Sequence, residues 1–400
     1  MSSKKIILAF SGGLDTSFSV PYLMEQGYEV ITATVDTGGF SKNELSAIAK
    51  KSKWLGATKH YLIDGKTSMY DEIVSYIIKT NGLYQGSYPN MCADRYVIAK
   101  AVLQVAAKEH CTVVAHGSTA MGNDQVRFDI ALMTLAPQVT IISPIKTMGG
   151  NRVEEQNYLK AKGFDVATIH KKYSVNQNIL GVTYSGSEID QVQEPDESMF
   201  LWTQPNHENK TKYVKLTFKN GLPVAVDDKT ATGPMILHEL NQSLSKHGYG
   251  KGYYTGDCMV GIKGHIVFEA PGILALIEAH HSLEQLVLTK YQQTIGEIIS
   301  HYYTDLLYTG KLFDPSVVDL QALVDSQQKV VSGEVTLKVE GNHIYPVAII
   351  SPYSLIHPDI ASYAQKCSWS VADADGFIKL FGMQGQIASL VKEKNEKGGE

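Results

Sequence analysis

Apolar runs alternate with amphipathic stretches over residues 5–145. The apolar runs predict buried strands at residues 5–10, Glu29–Val35, Lys59–Ile63, Cys111–Ala115 and Val139–Ile142. The amphipathic stretches predict helices at Asp15–Met24, Lys42–Trp54, Tyr70–Lys79 and Ala93–Glu109. Asp15 and Thr16 are suited to cap the first of these helices. Strands that alternate with helices in this way predict an α/β fold built on a doubly wound parallel sheet.

After about residue 170 the pattern changes to strands that alternate apolar and polar positions and are joined by turns. Two hairpins are predicted, Lys212–Phe218 with Pro223–Val226 and Val335–Val339 with Ile344–Ile349. Helices are predicted at Thr232–His247, Leu283–Thr304 and, near the end, Met383–Lys392. The charged residues after Lys392 are expected to fray. The pattern therefore predicts three parts: residues 1–170, an α+β domain at 171–360, and a C-terminal helix and tail at 361–400.

Composition narrows the class of protein. Apolar residues make up 44% of the 400 residues, the net charge is −5 and the isoelectric point is near 6.2. An acidic balance argues against a nucleic-acid partner, which needs a basic surface. No stretch reaches the roughly 20 apolar residues of a membrane helix. The four cysteines lie far apart, which is typical of a reducing compartment. We therefore expect a soluble, cytoplasmic protein.

A glycine-rich loop follows the first predicted strand. Its sequence, SGGLDTS at residues 11–17, lacks both the lysine of a Walker A loop and the spacing of a dinucleotide-binding loop. Adjacent glycines allow backbone N–H groups to approach a ligand closely, and the start of a helix favours an anion. The loop is therefore a candidate phosphate cradle. The alternative is an ordinary turn from strand to helix.

A second group of polar side chains begins the stretch after the fourth predicted strand. Asn123, Asp124 and Arg127 place an amide, a carboxylate and a guanidinium within about one helical turn. An arginine can hold a carboxylate through two hydrogen bonds, so this group is suited to orient an amino-acid substrate. The alternative is that Asn123 and Asp124 only cap a surface helix.

These two segments carry a resemblance to a known family. AFSGGLDTS at residues 9–17 resembles the loop of the PP-loop (N-type) ATP pyrophosphatases. HGSTAMGNDQVRF at residues 116–128 is similar to a block of one branch of them, the argininosuccinate synthase family. Shorter matches follow in the family's order: LAPQ at 135–138, YSVNQNILG at 173–181, EAPG at 269–272 and DGFIKLFG at 375–382. The resemblance covers almost the whole chain.

The resemblance implies a carbon–nitrogen ligase of arginine biosynthesis. Such an enzyme uses ATP and Mg²⁺ to adenylate the ureido group of citrulline and then joins it to aspartate, releasing AMP and pyrophosphate. The three parts would then be a PP-loop nucleotide-binding domain, a synthetase and multimerisation domain, and an oligomerisation helix. A homotetramer, without nucleic-acid or membrane partners, is implied as well.

The resemblance also assigns residues to roles. The implied ATP contacts are Phe10, Ser11, Gly12, Gly13, Leu14, Asp15, Thr16, Ser17, Phe18, Val35 and Gly117. The implied contacts with citrulline and aspartate are Tyr88, Thr119, Asn123, Asp124, Arg127, Ser174 and Thr183. Asp15, which would help place magnesium on the phosphates, and Asp124 are the residues expected to take part in catalysis. No metal site formed by protein ligands alone is predicted.

The sequence departs from the family pattern where citrulline is expected to bind. The segment at residues 88–96 is one residue shorter than the family's and carries Met91 and Cys92 near the place of a hydroxyl pair. Gly256 and Phe268 replace a glutamate and a tyrosine. Asp257 is a candidate substitute for the lost carboxylate.

Three interpretations are therefore open. The first is a divergent enzyme that still binds citrulline. The second is a paralogue that joins aspartate to another carbonyl-bearing acceptor. The third is a tRNA-thiolating enzyme with Cys92 as its nucleophile, which the acidic composition and the later motifs oppose.

Overall fold

The structure is a computed structural model that describes residues 4–119, 122–148, 151–164, 172–203, 211–363 and 367–397. Two compact units are present, Met1–Tyr353 and Ser354–Glu400. The predicted domain boundary at residues 170 and 171 lies outside the described residues, so the three-part division stays a prediction.

The strands are β1 (Lys4–Ala9), β2 (Tyr28–Asp36), β3 (Lys59–Asp64), β4 (Val113–Ala115), β5 (Thr140–Ile142), β6 (Ser174–Asn178), β7 (Gly181–Ser185), β8 (Lys212–Lys219), β9 (Leu222–Val226), β10 (Lys229–Thr230), β11 (Lys251–Asp257), β12 (Lys263–Glu269), β13 (Gly333–Glu340) and β14 (His343–Ile350).

The helices are α1 (Leu14–Glu25), α2 (Lys42–Trp54), α3 (Lys66–Met69), α4 (Ser75–Lys79), α5 (Asp94–Lys108), α6 (Asn123–Leu135), α7 (Pro144–Met148), α8 (Arg152–Ala161), α9 (Gly233–Ser245), α10 (Pro271–Val287), α11 (Lys290–Tyr308), α12 (Pro315–Gln328) and α13 (Val371–Lys397). A π-helical turn, Tyr70–Val74, joins α3 to α4. Short 3₁₀ turns lie at Met91–Ala93, Ser187–Gln191 and Glu197–Met199. None of the helices in the described part of the chain is long and apolar enough to cross a membrane.

The five strands β1–β5 form the predicted parallel sheet, which confirms the α/β fold. Their order is β3-β2-β1-β4-β5, and every pair is parallel. Ile6, Ile7 and Leu8 of the central strand are completely buried, as expected for a sheet covered by helices on both faces. The chain order reverses between β1 and β4, and ligands of such sheets bind at the carboxyl ends of strands beside this reversal.

The remaining strands form two antiparallel sheets, with orders β10-β9-β8-β13-β14 and β11-β12-β7-β6. Both predicted hairpins are present. The turn between β6 and β7 contacts the parallel sheet, since Ile179 donates its N–H to the carbonyl of Thr37 at 2.8 Å. The second antiparallel sheet is thereby placed beside the carboxyl end of β2.

Three local predictions are wrong. The helix predicted at Leu283–Thr304 is two helices, because Thr289 and Gln292 form a capping box that begins α11. Gly13, and not Asp15 or Thr16, is the N-cap of α1, because α1 begins at Leu14 and both residues already lie within its first turn. The charged tail does not fray before Lys397, since α13 continues to that residue.

Candidate active site

The loop between β1 and α1 is held in shape by its own hydroxyl groups. Ser17 donates its Oγ–H to the carbonyl of Gly13 at 2.6 Å, and the Ser11 and Thr16 hydroxyls lie 3.3 Å apart. Gly12 adopts a φ of 76°, which a residue with a side chain rarely adopts. No side chain caps α1 among the described residues. The N–H groups of its first turn are therefore available to an anion.

A lysine supports this loop from the neighbouring helix. Lys51 of α2 donates to the carbonyl of Gly12 at 2.7 Å. Its half-buried position lowers its pKa, since burial disfavours the charged form. Lys51 was missed by the sequence motifs, which contain no signal that α2 folds against the loop. Its positive charge adds to the anion-binding character of the cradle.

The start of α1 carries the carboxyl group of Asp15, and the carboxyl group of Glu155 on α8 lies close to it. Glu155 of α8 is only 2% exposed, and its Oε2 has no hydrogen-bond partner in the described part of the chain. Burial, followed by the charge and hydrogen bond of Asp15, raises the pKa of Glu155 to about 8. Glu155 therefore holds a proton near neutral pH, next to the carboxyl group of Asp15 beside the cradle.

The loop after β4 contacts the cradle directly. A methyl group added at Gly117 would lie 2.8 Å from Cγ2 of Thr16 and 3.2 Å from its backbone nitrogen. His116 fixes this loop, since its Nδ1 accepts the N–H of Ser118 at 3.2 Å and its Nε2 lies 2.8 Å from Asp129. Because Nδ1 accepts, Nε2 carries the proton and donates it to the carboxylate of α6. The loop is therefore tied both to α1 and to α6.

Asp124 forms a charge bridge at the start of α6. Its two oxygens lie 2.8 Å from Arg95 Nη2 and 3.0 Å from Arg127 Nη1. Burial would raise the pKa of Asp124, but the two guanidinium groups outweigh burial and hold its pKa below the usual value. Arg127 also donates its Nε–H to the Tyr308 carbonyl at 2.9 Å and lies over the Tyr308 ring. The carboxylate thus stays ionised and fixed in place.

Aromatic rings surround this charge bridge. Tyr88 is buried and stacks on Tyr254, while Tyr308 stacks on Tyr84 with centroids 3.9 Å apart. Asn123 donates to the Tyr308 hydroxyl at 3.3 Å. The rings restrict water around the polar groups and place a predicted substrate contact, Tyr88, within the same cluster.

The hairpin β6–β7 brings two further predicted residues to this place. Thr183 lies opposite Asn176 in the ladder, and Ser174 is two positions from Asn176 on the same face. Asn176 accepts a hydrogen bond from Arg95 at 3.3 Å. Ser174 and Thr183 therefore face the side of the charge bridge that carries Arg95.

The positions that depart from the family pattern are filled from within the chain. A side chain at Gly256 would collide with the hydroxyl of Tyr254 and the amide oxygen of Gln85. Tyr254 donates to this same Gln85 oxygen at 2.9 Å. Phe268 is buried and lies edge-on to Tyr88. A polar amide and a tyrosine hydroxyl thus occupy the region where the pattern has a glutamate.

Asp257 and Cys92 do not fit the roles considered for them. Asp257 is exposed, and its carboxylate bonds to Lys263 and Gln85. Burial raises the pKa of the Cys92 thiol, which disfavours the thiolate that a sulfur-transfer nucleophile requires.

Not every predicted residue has a group free for a ligand. Phe10 has its N–H bonded to Ala33 and its carbonyl to Thr34, and Ser17, Phe18 and Val35 are buried. Thr119 is exposed at the end of the β4 loop, next to residues 120 and 121, which lie outside the described residues. The sequence motifs missed Tyr308, and they left Asn176 and Glu155 without a role, because long-range packing brings these residues here.

Comparisons with known proteins match almost the whole chain to one family. A family model described as the argininosuccinate synthase N-terminal HUP domain matches residues 5–165, and one for the C-terminal domain matches residues 173–388. The argininosuccinate synthase of Xylella fastidiosa is 44% identical over 397 residues, 98% of both chains. That of Xanthomonas campestris pv. campestris is 43% identical, over 98% of this chain and 100% of its own. That of Sulfurisphaera tokodaii is 36% identical, over 97% of this chain and 100% of its own.

The parallel sheet is a HUP domain, and the matched family models and relatives place the chain among the ATP-using ligases. Within this class, the chain belongs to the argininosuccinate synthase family. The family resemblance carried by the motifs is confirmed.

Proposed function

We propose that this protein joins citrulline to aspartate at the expense of ATP, forming argininosuccinate, AMP and pyrophosphate. The observation that carries the proposal is the contact between two neighbouring loops. The cradle after β1 touches the loop after β4 at Gly117, and that loop leads into the helix that bears Asp124 and Arg127. A nucleotide and an amino acid bound to these two elements lie next to each other.

The reaction has two displacement steps. The ureido oxygen of citrulline attacks the α-phosphorus of ATP, an O–P bond forms, and pyrophosphate leaves. The amine of aspartate then attacks the ureido carbon, a C–N bond forms, and AMP leaves with the electron pair of the broken C–O bond. The amine proton passes to bound phosphate. Catalysis rests on positioning and on electrostatic stabilisation of the developing charges.

The charge bridge supplies the positioning of the amino acids. Nη2 of Arg127 has no hydrogen bond to any of the described residues and is suited to a substrate carboxylate. Asp124, Asn123 and Thr119 are proposed to hold aspartate, whose ammonium group matches an ionised carboxylate. Tyr88, Ser174 and Thr183 are proposed to line the citrulline side.

Citrulline is the favoured acceptor despite the altered positions. Gln85 and Tyr254 place hydrogen-bonding atoms beside Gly256, so the region of the absent glutamate is polar. The full-length relationship to argininosuccinate synthases also favours citrulline over another carbonyl compound. The paralogue interpretation is not favoured by either finding.

Three further features belong to this proposal. Magnesium accompanies ATP, since Mg²⁺ is commonly bound by substrate phosphates together with one or two carboxylates. A homotetramer is supported by the exposed apolar side chains of α13, including Leu380 and Phe381. A cytoplasmic location is supported by the four unpaired cysteines, all of which lie in the described part of the chain.

Pyrophosphate release tests the proposed function. The purified protein is given ATP and Mg²⁺ with citrulline, aspartate, both or neither. Release that requires citrulline, with argininosuccinate and AMP formed when aspartate is added, supports the proposal. A folded, ATP-binding protein that releases no pyrophosphate with citrulline would contradict it, and other carbonyl acceptors would then be screened with aspartate held constant.

A further inference from the structure

One face of the four-stranded sheet β11-β12-β7-β6 lies against the charge bridge. Residues that lie opposite each other in a ladder share a face, and a single row of them, Asn176, Thr183, Phe268 and Gly252, crosses all four strands. Asn176 accepts a hydrogen bond from Arg95 of the charge bridge. The face that carries this row therefore borders the proposed acceptor side of the site.

The charged residues of these four strands all lie on the other face. They are Lys251, Asp257, Lys263 and Glu269, and the titratable His265 lies with them. Every second residue counted from the row described above, by contrast, has an uncharged side chain or is a glycine. The four described strands therefore present no charged side chain to a ligand on the face beside the charge bridge.

The carboxylates across from this face already have cationic partners. Asp94 lies 2.7 Å from Nη1 of Arg95, and Asp124 lies 2.8 Å from Nη2 of the same side chain. Beside Gly256, the amide oxygen of Gln85 lies 2.3 Å from the position that a Cβ atom would take, so a neutral amide fills the place of a side chain there. An acceptor bound in this region meets amide and hydroxyl groups together with carboxylates that are already paired.

An α-ammonium group and an acylated α-nitrogen differ in what they require from such a surface. An ammonium group taken out of water needs an anionic partner, because the loss of its hydration is costly. An amide is uncharged, and its N–H and carbonyl need only neutral acceptors and donors. The hydroxyls of Ser174 and Thr183 and the amide of Asn176 lie on this face and are suited to supply them. The surface therefore fits an acylated α-nitrogen better than a charged one.

We infer that this enzyme also accepts citrulline whose α-nitrogen is acylated. The inference rests on the proposed ligation with aspartate at this site, and the acyl group takes no part in the chemistry. The ureido oxygen bonds to the α-phosphorus as pyrophosphate leaves. The aspartate amine then bonds to the ureido carbon as AMP leaves with the electron pair of the C–O bond. The amine proton passes to bound phosphate, and the product is an argininosuccinate that keeps the acyl group.

The test compares three acceptors with the full-length protein, ATP, Mg²⁺ and aspartate. They are citrulline, citrulline acetylated at its α-nitrogen, and 5-ureidopentanoate, which has no α-nitrogen. Pyrophosphate release gives kcat/KM for each acceptor, and mass spectrometry of the product shows whether the acetyl group is retained, so that contaminating citrulline is not counted. The kcat/KM for acetylcitrulline is expected to equal or exceed that for citrulline.

A pair of variants tests the electrostatic basis of this choice. Gln85→Glu combined with Asp257→Asn places a carboxylate beside Gly256 and removes the neighbouring carboxylate that would repel it. The kcat/KM for citrulline relative to acetylcitrulline is expected to rise about tenfold or more, the effect of one hydrogen bond to a charged group. Asp257→Asn alone is the matched control, and this exposed change is expected to leave the ratio within about twofold.

Two results would overturn the inference. One is a kcat/KM for acetylcitrulline below about one tenth of that for citrulline, the discrimination of a site that rejects the added group. The other is turnover of 5-ureidopentanoate without turnover of acetylcitrulline, which would show a pocket that rejects the charge but has no place for an acyl group. Both results leave the proposed use of citrulline intact. Turnover of acetylcitrulline alone would instead contradict that use and support the inference.

Discussion

The charged side chains at the two ends of the parallel sheet differ in whether the protein supplies their partners. At the amino end, Glu109 accepts hydrogen bonds from Lys5 at 3.1 Å, from Lys59 at 2.5 Å and from the hydroxyl of Tyr61. These donors lower the pKa of Glu109 to about 2. Donors within the protein satisfy this carboxylate, so it needs no ligand.

At the carboxyl end, several polar and charged groups lack a partner among the described residues. Glu155 Oε2 has no hydrogen-bond partner among the described residues, Asp15 adds a second carboxyl group beside it, and the first turn of α1 is uncapped in the described structure. Asp124 is held by two arginines, yet Arg127 keeps one nitrogen free of bonds to the described residues. The comparison teaches that unpaired polar groups, rather than charge itself, distinguish the proposed binding end of this sheet.

The largest effect is expected from breaking the charge bridge. Asp124→Ala removes the partner of the aspartate ammonium group and should lower aspartate-dependent turnover by about 10²–10³-fold, as for loss of one stabilising group in a transition state. ATP binding, measured by calorimetry, should persist because the cradle is separate. Turnover unchanged from the unmodified protein would remove Asp124 from the site.

A smaller effect is expected from separating the two loops. Gly117→Ala places a methyl group 2.8 Å from Cγ2 of Thr16, so the β4 loop must move away from the cradle. We expect the KM for ATP to rise about tenfold, equivalent to about 1.4 kcal/mol. Gly296→Ala on α11, where the added methyl group would lie 3.7 Å from Oε1 of Gln327, serves as the steric control and should leave KM unchanged. A normal KM in Gly117→Ala would show that the loops need not touch.

At the amino end, a change should affect stability and leave activity intact. The folded pKa of Glu109, about 2, is below its ordinary value of 4.5, so its contribution to stability is present above pH 4.5 and is lost between pH 4.5 and 2. Glu109→Gln should cost about 1 kcal/mol at pH 7, since the lysine partners are exposed and screened. Urea unfolding of the unmodified protein and the variant, at pH 7 and at pH 2, checks this. A variant whose loss of stability is the same at pH 2 as at pH 7 would contradict the assignment.

The smallest effect is expected at Cys92. The raised pKa of its thiol leaves little thiolate near neutral pH. Cys92→Ser should therefore change turnover by less than about threefold, within the range of small packing changes. A large loss of turnover that Cys92→Ser and Cys92→Ala share would assign chemistry to the sulfur.

Most of the parallel sheet was predictable because the majority of its strands are short and mainly apolar. Strand β2 was predicted at Glu29–Val35 and lies at Tyr28–Asp36, and α2 was predicted with its observed ends. The division between α10 and α11 was missed, because apolar periodicity continues across Leu288 while only Thr289 and Gln292 signal a new helix. The hairpin β6–β7 was not predicted, because its polar residues show no burial pattern of their own.

The site was predictable where it is local in sequence. Asn123, Asp124 and Arg127 share one helical turn, and the cradle is a continuous loop. Whether Asp124 faces a substrate or another side chain was not predictable, since Arg95 reaches it from a different helix. The roles assigned to individual residues stay predictions until the variants are measured.

The sequence by itself determined the family, the parallel sheet and the composition of the two binding loops, because these depend on short-range patterns of apolar residues and glycines. Only the tertiary structure decided which groups are left unpaired. Glu155 meets Asp15 because α8 packs on α1, and Tyr254 with Gln85 fills the region beside Gly256 because two distant segments fold together. The pairing of polar groups depends on segments far apart in the chain, and no local pattern encodes it.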